Sequence, residues 1–216
     1  MTRRIVVHGH AYQPPRADPW NGRVPVEPTA APYRDWNERI TAECYAPCSA
    51  TRLHDGQGRV TAIVNLFEKM SFDLGPTLAH WLERHAPVVH DRIVAGDRVG
   101  HTAVAHPYHH VILPLADPRD ALTEMRWGLA DFRHRFGREA DGMWLPETAI
   151  DARTYAQLAQ LGVGFTVVGP HQVERNPAAG AVGRVGHGPA LVVYDGPSSH
   201  ALAFGEALSS AEHLAE

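Results

Sequence analysis

The stretch Asp141-Gly142-Met143-Trp144-Leu145-Pro146-Glu147 decides how this chain is read. A helical pattern precedes it and another follows it, so it reads as a short buried strand whose last residue is a carboxylate. On the upstream side, Asp117 and Pro118 have the character of an N-cap and a first-turn residue. Leu122, Met125, Leu129, Phe132 and Phe136 then recur at spacings of three and four, which places them on one face of a helix. Gly137 stops that helix as a left-handed C-terminal glycine does. Downstream, Asp151 caps a second helix carrying Tyr155, Leu158 and Leu161, and Gly162 ends it. Helix, strand, helix, strand is the order expected of an α/β protein with parallel strands. Such proteins place their chemistry at the carboxyl ends of the strands, where Glu147 falls.

Working outward, Ile5-Val6-Val7 reads as a first strand and Val60–Leu66 as a second. Gly75-Pro76 opens a helix with Leu78, Trp81 and Leu82 on one face, which Pro87 ends or kinks. A shorter helix with Val89 and Ile93 inward runs to Gly96, and residues 99–106 form a third strand region. The quoted stretch is the fourth strand, Gly164–Val168 the fifth, and Leu191–Asp195 a sixth or part of one. Residues 170–189 read as loops with room for a small hairpin. From about Ala201 to Glu216 the chain looks helical and carries no stop signal, so it is expected to end inside a helix.

At 216 residues there is enough chain for one domain with a substantial core. A net charge of −4 and 44% apolar residues give no electrostatic case for nucleic acid or a membrane surface. No apolar run reaches membrane-spanning length. The start is too short in apolar residues for a secretory signal, which makes a cytoplasmic protein the expectation. Cys44 and Cys48 lack a nearby second pair of ligands for a structural zinc site and read as reduced thiols.

Histidine is abundant, at 15 residues. His8 and His10 are two apart, so on a strand they point to the same side. They are either strand-end residues satisfied by their neighbours or a pair that contacts substrate or a metal. Asp35-Trp36-Asn37-Glu38-Arg39 is a polar cluster around one aromatic, suited to a sugar and equally ordinary as an anchored loop.

Together these features resemble glycoside hydrolase family 57. His10-Ala11-Tyr12-Gln13-Pro14 is similar to a first motif in which histidine, glutamine and proline are normally contiguous; here two residues intervene. His110-Val111-Ile112-Leu113-Pro114-Leu115 resembles the second motif, and Gly142-Met143-Trp144-Leu145-Pro146-Glu147 the third, whose glutamate is the nucleophile. The resemblance implies a (β/α)7 barrel and action on α-glucans with retention of configuration. It is nearest to a branch in which a domain of unknown function follows the barrel. Residues 1–216 would then be the N-terminal part of one barrel domain, cut short before its last strands.

Retaining chemistry needs a carboxylate nucleophile and a second carboxyl group about 5 to 5.5 Å away. Glu147 suits the first role. His10, Gln13, His110, Trp144 and Trp36 are candidate contacts for a polysaccharide or oligosaccharide, with Trp144 as a stacking wall. The family's acid/base is an aspartate in a later motif, which nothing here matches; Asp195, at a later strand end, is the resident candidate. Without it the acid/base lies past Glu216. No cofactor and no metal ion is expected. The alternatives are a metal-dependent polysaccharide deacetylase, for which His101 and His106 would be the histidine pair, and a carbohydrate-binding remnant without catalysis. The deacetylase reading suffers because residues five apart on a strand face opposite sides, and because paired aspartates are missing near the first strand.

Overall fold

The computed structural model describes residues 5–173 and 180–215. Residues 1–4 ahead of the expected first strand, 174–179 of the loop region and Glu216 at the end of the expected last helix lie outside the described residues. In chain order the first elements are β1 (His8–Ala11), α1 (Trp36–Ile40), α2 (Ala46–Ser49), β2 (Thr51–His54), β3 (Val60–Val64) and β4 (Ser71–Leu74). Next come α3 (Pro76–His85), α4 (Pro87–Gly100), β5 (Ala103–Val104), α5 (Pro118–Phe136), α6 (Ala152–Gln160) and β6 (Phe165–Val168). The order closes with β7 (Val182–Arg184), β8 (Ala190–Val193), α7 (Gly196–Phe204) and α8 (Ala211–Ala215).

Parallel pairing runs from β1 to β4 and from β4 to β5. Two isolated parallel bridges, Ala105 with Met143 and Gly142 with Phe165, carry the array on to β6. There β6 pairs parallel with β8, and β7 adds an antiparallel edge. The result is an α/β fold with parallel strands; among the described residues the array stays open and no closed barrel forms. Parallel neighbours require long crossovers, which α3 with α4, α5 and α6 supply.

The two helices flanking the decisive stretch form where their caps and periodicity place them. Asp117 accepts from the Arg119 N–H, and Gly137 adopts φ 69° as its N–H closes on the Arg133 carbonyl. Asp151 caps α6 through the Thr154 N–H. Met125 and Phe132 of α5 and Leu158 of α6 enter one core with Phe72, Leu78, Leu82, Ile93, Met143 and Leu145. Each such side chain contributes about 1.5–3 kcal/mol by leaving water. A Cβ at Gly128 would collide with the His106 carbonyl, so this glycine lets α5 lie directly against the backbone that follows β5.

Several strands depart from the sequence reading. Val60–Leu66 supplies β3, but β3 pairs antiparallel with β2 in a largely exposed hairpin, off the parallel array. The second parallel strand is β4, whose Phe72, Asp73 and Leu74 are all buried. An aspartate in the middle of that run hides it from a hydrophobicity reading. The third region is mostly helix: α4 continues to Gly100, His101 turns left-handed at φ 49°, and only Ala103 and Val104 are strand. That short strand is held by buried Asp97, which accepts from the Ala103 N–H at 2.8 Å and pairs twice with Arg138. The fourth strand shrinks to the bridges at Gly142 and Met143, because Pro146 opens a 3-10 turn. The first strand begins at His8, leaving Ile5, Val6 and Val7 exposed ahead of it. The expected last helix is instead α7, ending at Phe204, followed by α8. Cys44 and Cys48 are free thiols. Among the described residues no helix is long and apolar enough to cross a membrane.

Candidate active site

The site is assembled at the carboxyl ends of β1, β4, β5 and the Gly142-Met143 step. Strand alternation sends His8 and His10 to the same side, where both meet Asp73 of β4. His10 and Asp73 are register partners in the parallel pair. His10 Nδ1 lies 2.9 Å and 3.1 Å from the two Asp73 carboxylate oxygens, and His8 Nε2 lies 3.1 Å from Oδ1. Ser71 fixes the other nitrogen of His8 at 3.0 Å.

Asp73 is wholly buried. Burial opposes its charge, but hydrogen bonds from His10 and His8 outweigh that and hold the carboxyl below its ordinary value. For His10, burial likewise disfavours the charged form. The bond to Asp73, the Asp73 charge and then the Glu147 charge overcome it, and its pKa is raised.

Two further histidines face His10. His106, just past β5, is fully buried; burial pushes its pKa down to about 4, with the His10 and His110 charges acting in the same direction against Asp73. Its Nδ1 donates to the Pro107 carbonyl at 2.5 Å, while its Nε2 is buried without a partner among the described residues. His110 Nε2 lies 3.2 Å from His10 Nε2. Burial and the His10 charge lower the pKa of His110, opposed by Glu147 and Asp73. One ring nitrogen from each of His10, His106 and His110 can be chosen so that all lie within 4.8 Å of one another.

Aromatic rings wall this cluster. Trp144 stacks on His8 with centroids 4.7 Å apart and planes 12° apart, and on His10 at 5.5 Å. Tyr12 stacks on His110 at 3.9 Å. The two residues inserted between His10 and Gln13 thus bring an aromatic face into the site.

Glu147 is exposed at the mouth, and its charge acts on both His10 and His110. Its backbone is left-handed at φ 56°, as is that of Thr148 at 51° and His110 at 57°. Side-chain-bearing residues seldom adopt this region, and a fixed scaffold is needed to hold them there. Gln172 provides one. Its amide donates to the Thr148 carbonyl at 2.7 Å, and its Oε1 accepts from the Gly169 N–H at 2.6 Å and from the Thr148 hydroxyl at 3.1 Å.

Of the residues singled out from the sequence, Glu147, His10, His110 and Trp144 come together. Gln13 sits beside them on the chain, but its Oε1 accepts from Arg16 and its carbonyl from Thr77. Trp36 makes its contacts within its own segment: its Nε1 donates to Thr29 and Arg39 covers its ring at 4.8 Å. Asp195 caps α7 through the Ser198 N–H at 3.0 Å. His101 is an exposed helix cap, so it does not pair with His106 in the site. Asp73 and Gln172 were not found by sequence reasoning, and His106 was weighed only as the partner of His101 in the deacetylase alternative. Asp73 had one available signal: a βα unit needs a strand directly before the Gly75-Pro76 helix start.

The arrangement is that of a parallel α/β protein with a histidine cluster walled by aromatic rings at its strand ends. A sequence profile described as Glycosyl hydrolase family 57 matches residues 39–182, and the chain belongs to that family. His110, Trp144 and Glu147 lie within the matched residues, and His10 and Gln13 ahead of them. No curated protein matches. Among solved structures, the chain is similar to an exo-type maltose-forming amylase from Pyrococcus sp. ST04, with a TM-score of 0.70 and 16% identity over 92% of this chain and 36% of that one. A 4-alpha-glucanotransferase from Thermococcus litoralis gives 0.65 and 15% over 97% of this chain and 30% of that one. A Thermotoga maritima alpha-amylase gives 0.62 and 13% over 94% and 47%. At these identities the likeness speaks for the fold, and the chain spans less than half the length of each of these proteins.

Proposed function

We propose that residues 1–216 are the N-terminal part of one (β/α)7 barrel domain of a retaining glycoside hydrolase or transglycosylase acting on α-glucan-like polysaccharide. The observation that carries this reading is Glu147: an exposed carboxylate, held in a left-handed turn at a strand end, electrostatically coupled to His10 and His110 beside the Trp144 ring. Family membership and the glucan-active names of the similar structures support the substrate class.

In this mechanism Glu147 is the nucleophile. A carboxylate oxygen bonds to the anomeric carbon as the glycosidic C–O bond breaks, and the leaving oxygen takes a proton from an acid. The resulting glycosyl ester is then cleaved by water or by another sugar hydroxyl. His10 and His110 hold sugar hydroxyls, and Trp144 stacks on a ring face; Gln13 and Trp36 are further candidate contacts.

Asp73 is a poor acid/base candidate, because two histidines occupy it and it is sealed from solvent. We place the acid/base past residue 216, in keeping with relatives of which this chain spans 30–47%. Asp195 is the resident alternative. The test is Glu147→Gln in a protein extending beyond residue 216: glucan turnover should fall by several orders of magnitude while binding persists. Near wild-type turnover would refute the assignment.

A further inference from the structure

We propose that His10, His106 and His110 form a binding site for one divalent zinc-class metal ion. Two acceptor nitrogens in this cluster face a single available ring proton. His10 directs Nδ1 at the Asp73 carboxylate and His106 directs Nδ1 at the Pro107 carbonyl, so both rings carry their proton there when neutral. Both Nε2 atoms are then acceptors. His110 can donate a single ring N–H, and its Nε2 already faces His10 Nε2 at 3.2 Å. Among the described residues the Nε2 atom of His106 is left with nothing to accept from in a fully buried position. An unpaired buried acceptor costs about 1–3 kcal/mol, and a cation among the three rings removes that cost.

The geometry suits such an ion. In tetrahedral zinc sites Zn–N distances of about 2.0–2.1 Å put ligand nitrogens roughly 3.3 Å apart. The His10–His110 pair already has that separation, and the third nitrogen lies within 4.8 Å. The outer contacts are also those of a metal centre: ligating histidines give their second nitrogen to a carboxylate or a backbone carbonyl, which fixes tautomer and orientation. Asp73 and Pro107 do this for His10 and His106. Three imidazoles match the preference of zinc and its neighbours over magnesium or calcium. His10 is open to solvent, which gives the ion access and leaves a coordination position free on that side. The site rests on the three rings alone and not on the glycosidase reading, and a bound ion would take the His10 and His110 nitrogens that sugar hydroxyls would otherwise use.

The test is calorimetric titration of the chelator-treated chain with Zn2+, together with the visible spectrum on adding Co2+. One Zn2+ per chain is expected, with cobalt d–d bands of a four- or five-coordinate nitrogen site. His110→Ala and His10→Ala should each weaken binding by about tenfold or more and bleach the cobalt bands. His200→Ala, an exposed histidine on α7, should change neither. Because His106 is buried, His106→Gln is made as well, and far-UV circular dichroism checks the fold of every variant. Absence of stoichiometric binding by the wild-type chain would overturn the proposal. So would folded His110→Ala and His10→Ala variants that bind as the wild type does.

Discussion

His10 and Asp73 face each other across the parallel β1–β4 pair, and His10 Nδ1 reaches both carboxylate oxygens, at 2.9 and 3.1 Å. One buried anion thereby sets the orientation of His10 and, through His10, the charge felt by His106 and His110.

That network predicts a pH dependence of stability. His106 is lowered to about 4, so the folded chain resists a proton that the unfolded chain takes up near 6.5. Its contribution is present above about 6.5 and is lost as pH falls toward 4, by about 3 kcal/mol in all. His10 runs the other way: its contribution is present below about 6.5 and is lost as pH rises through its raised value. Denaturant unfolding of metal-free wild type and His106→Gln at a series of pH values separates them. The difference between the two should shrink as pH falls from 6.5 to 4; a constant difference would contradict the assignment.

Gln172 is predicted to position Glu147 without touching substrate. Gln172→Ala removes three hydrogen bonds to Thr148 and Gly169. Turnover in a protein extending past residue 216 should fall about 10- to 100-fold, mainly in kcat, because small misplacements of a reacting group are costly. A purely structural role would instead lower the melting temperature and leave kcat of the folded enzyme intact.

Trp144 stacks on His8 and His10 but is only half-buried. Trp144→Ala should weaken glucan binding by about 1–3 kcal/mol, as expected for a lost aromatic anchor. Unchanged binding per folded molecule, with a collapse in thermal stability, would make this ring core rather than wall.

Asp195→Asn is a clean test of the resident alternative for the acid/base, since asparagine caps a helix as well as aspartate does and α7 should survive. The chain of residues 1–216 is expected to show no turnover, and the longer protein to be indifferent to this change. Turnover by the short chain that vanishes with Asp195→Asn would make Asp195 the acid/base.

Much of the frame was legible because it is local. Asp117, Gly137 and Asp151 announce helix ends within a few residues of the bonds they make. The site was half legible for the opposite reason. His10, His110, Trp144 and Glu147 stood out by motif, whereas Asp73 matters only through its register with His10, 63 residues away. His106 matters only because β5 ends where α5 can press against it, which Gly128 permits. Val60–Val64 is a strand as read, but its pairing in an exposed antiparallel hairpin could not be seen from its own residues. Trp36 read equally as a sugar contact or a loop anchor, and its contacts with Thr29 and Arg39 are made within its own segment.

The central claim is that Glu147 is the nucleophile, and covalent trapping tests it most directly. The anomeric fluoride of a 5-fluoro-α-glucosyl fluoride departs without acid assistance, so the trap needs only a nucleophile and a sugar site. Peptide mass spectrometry of the treated chain should find one fluoroglucosyl group esterified to Glu147, absent from Glu147→Gln. Labelling of another carboxylate, or equal labelling of Glu147→Gln, would contradict the account.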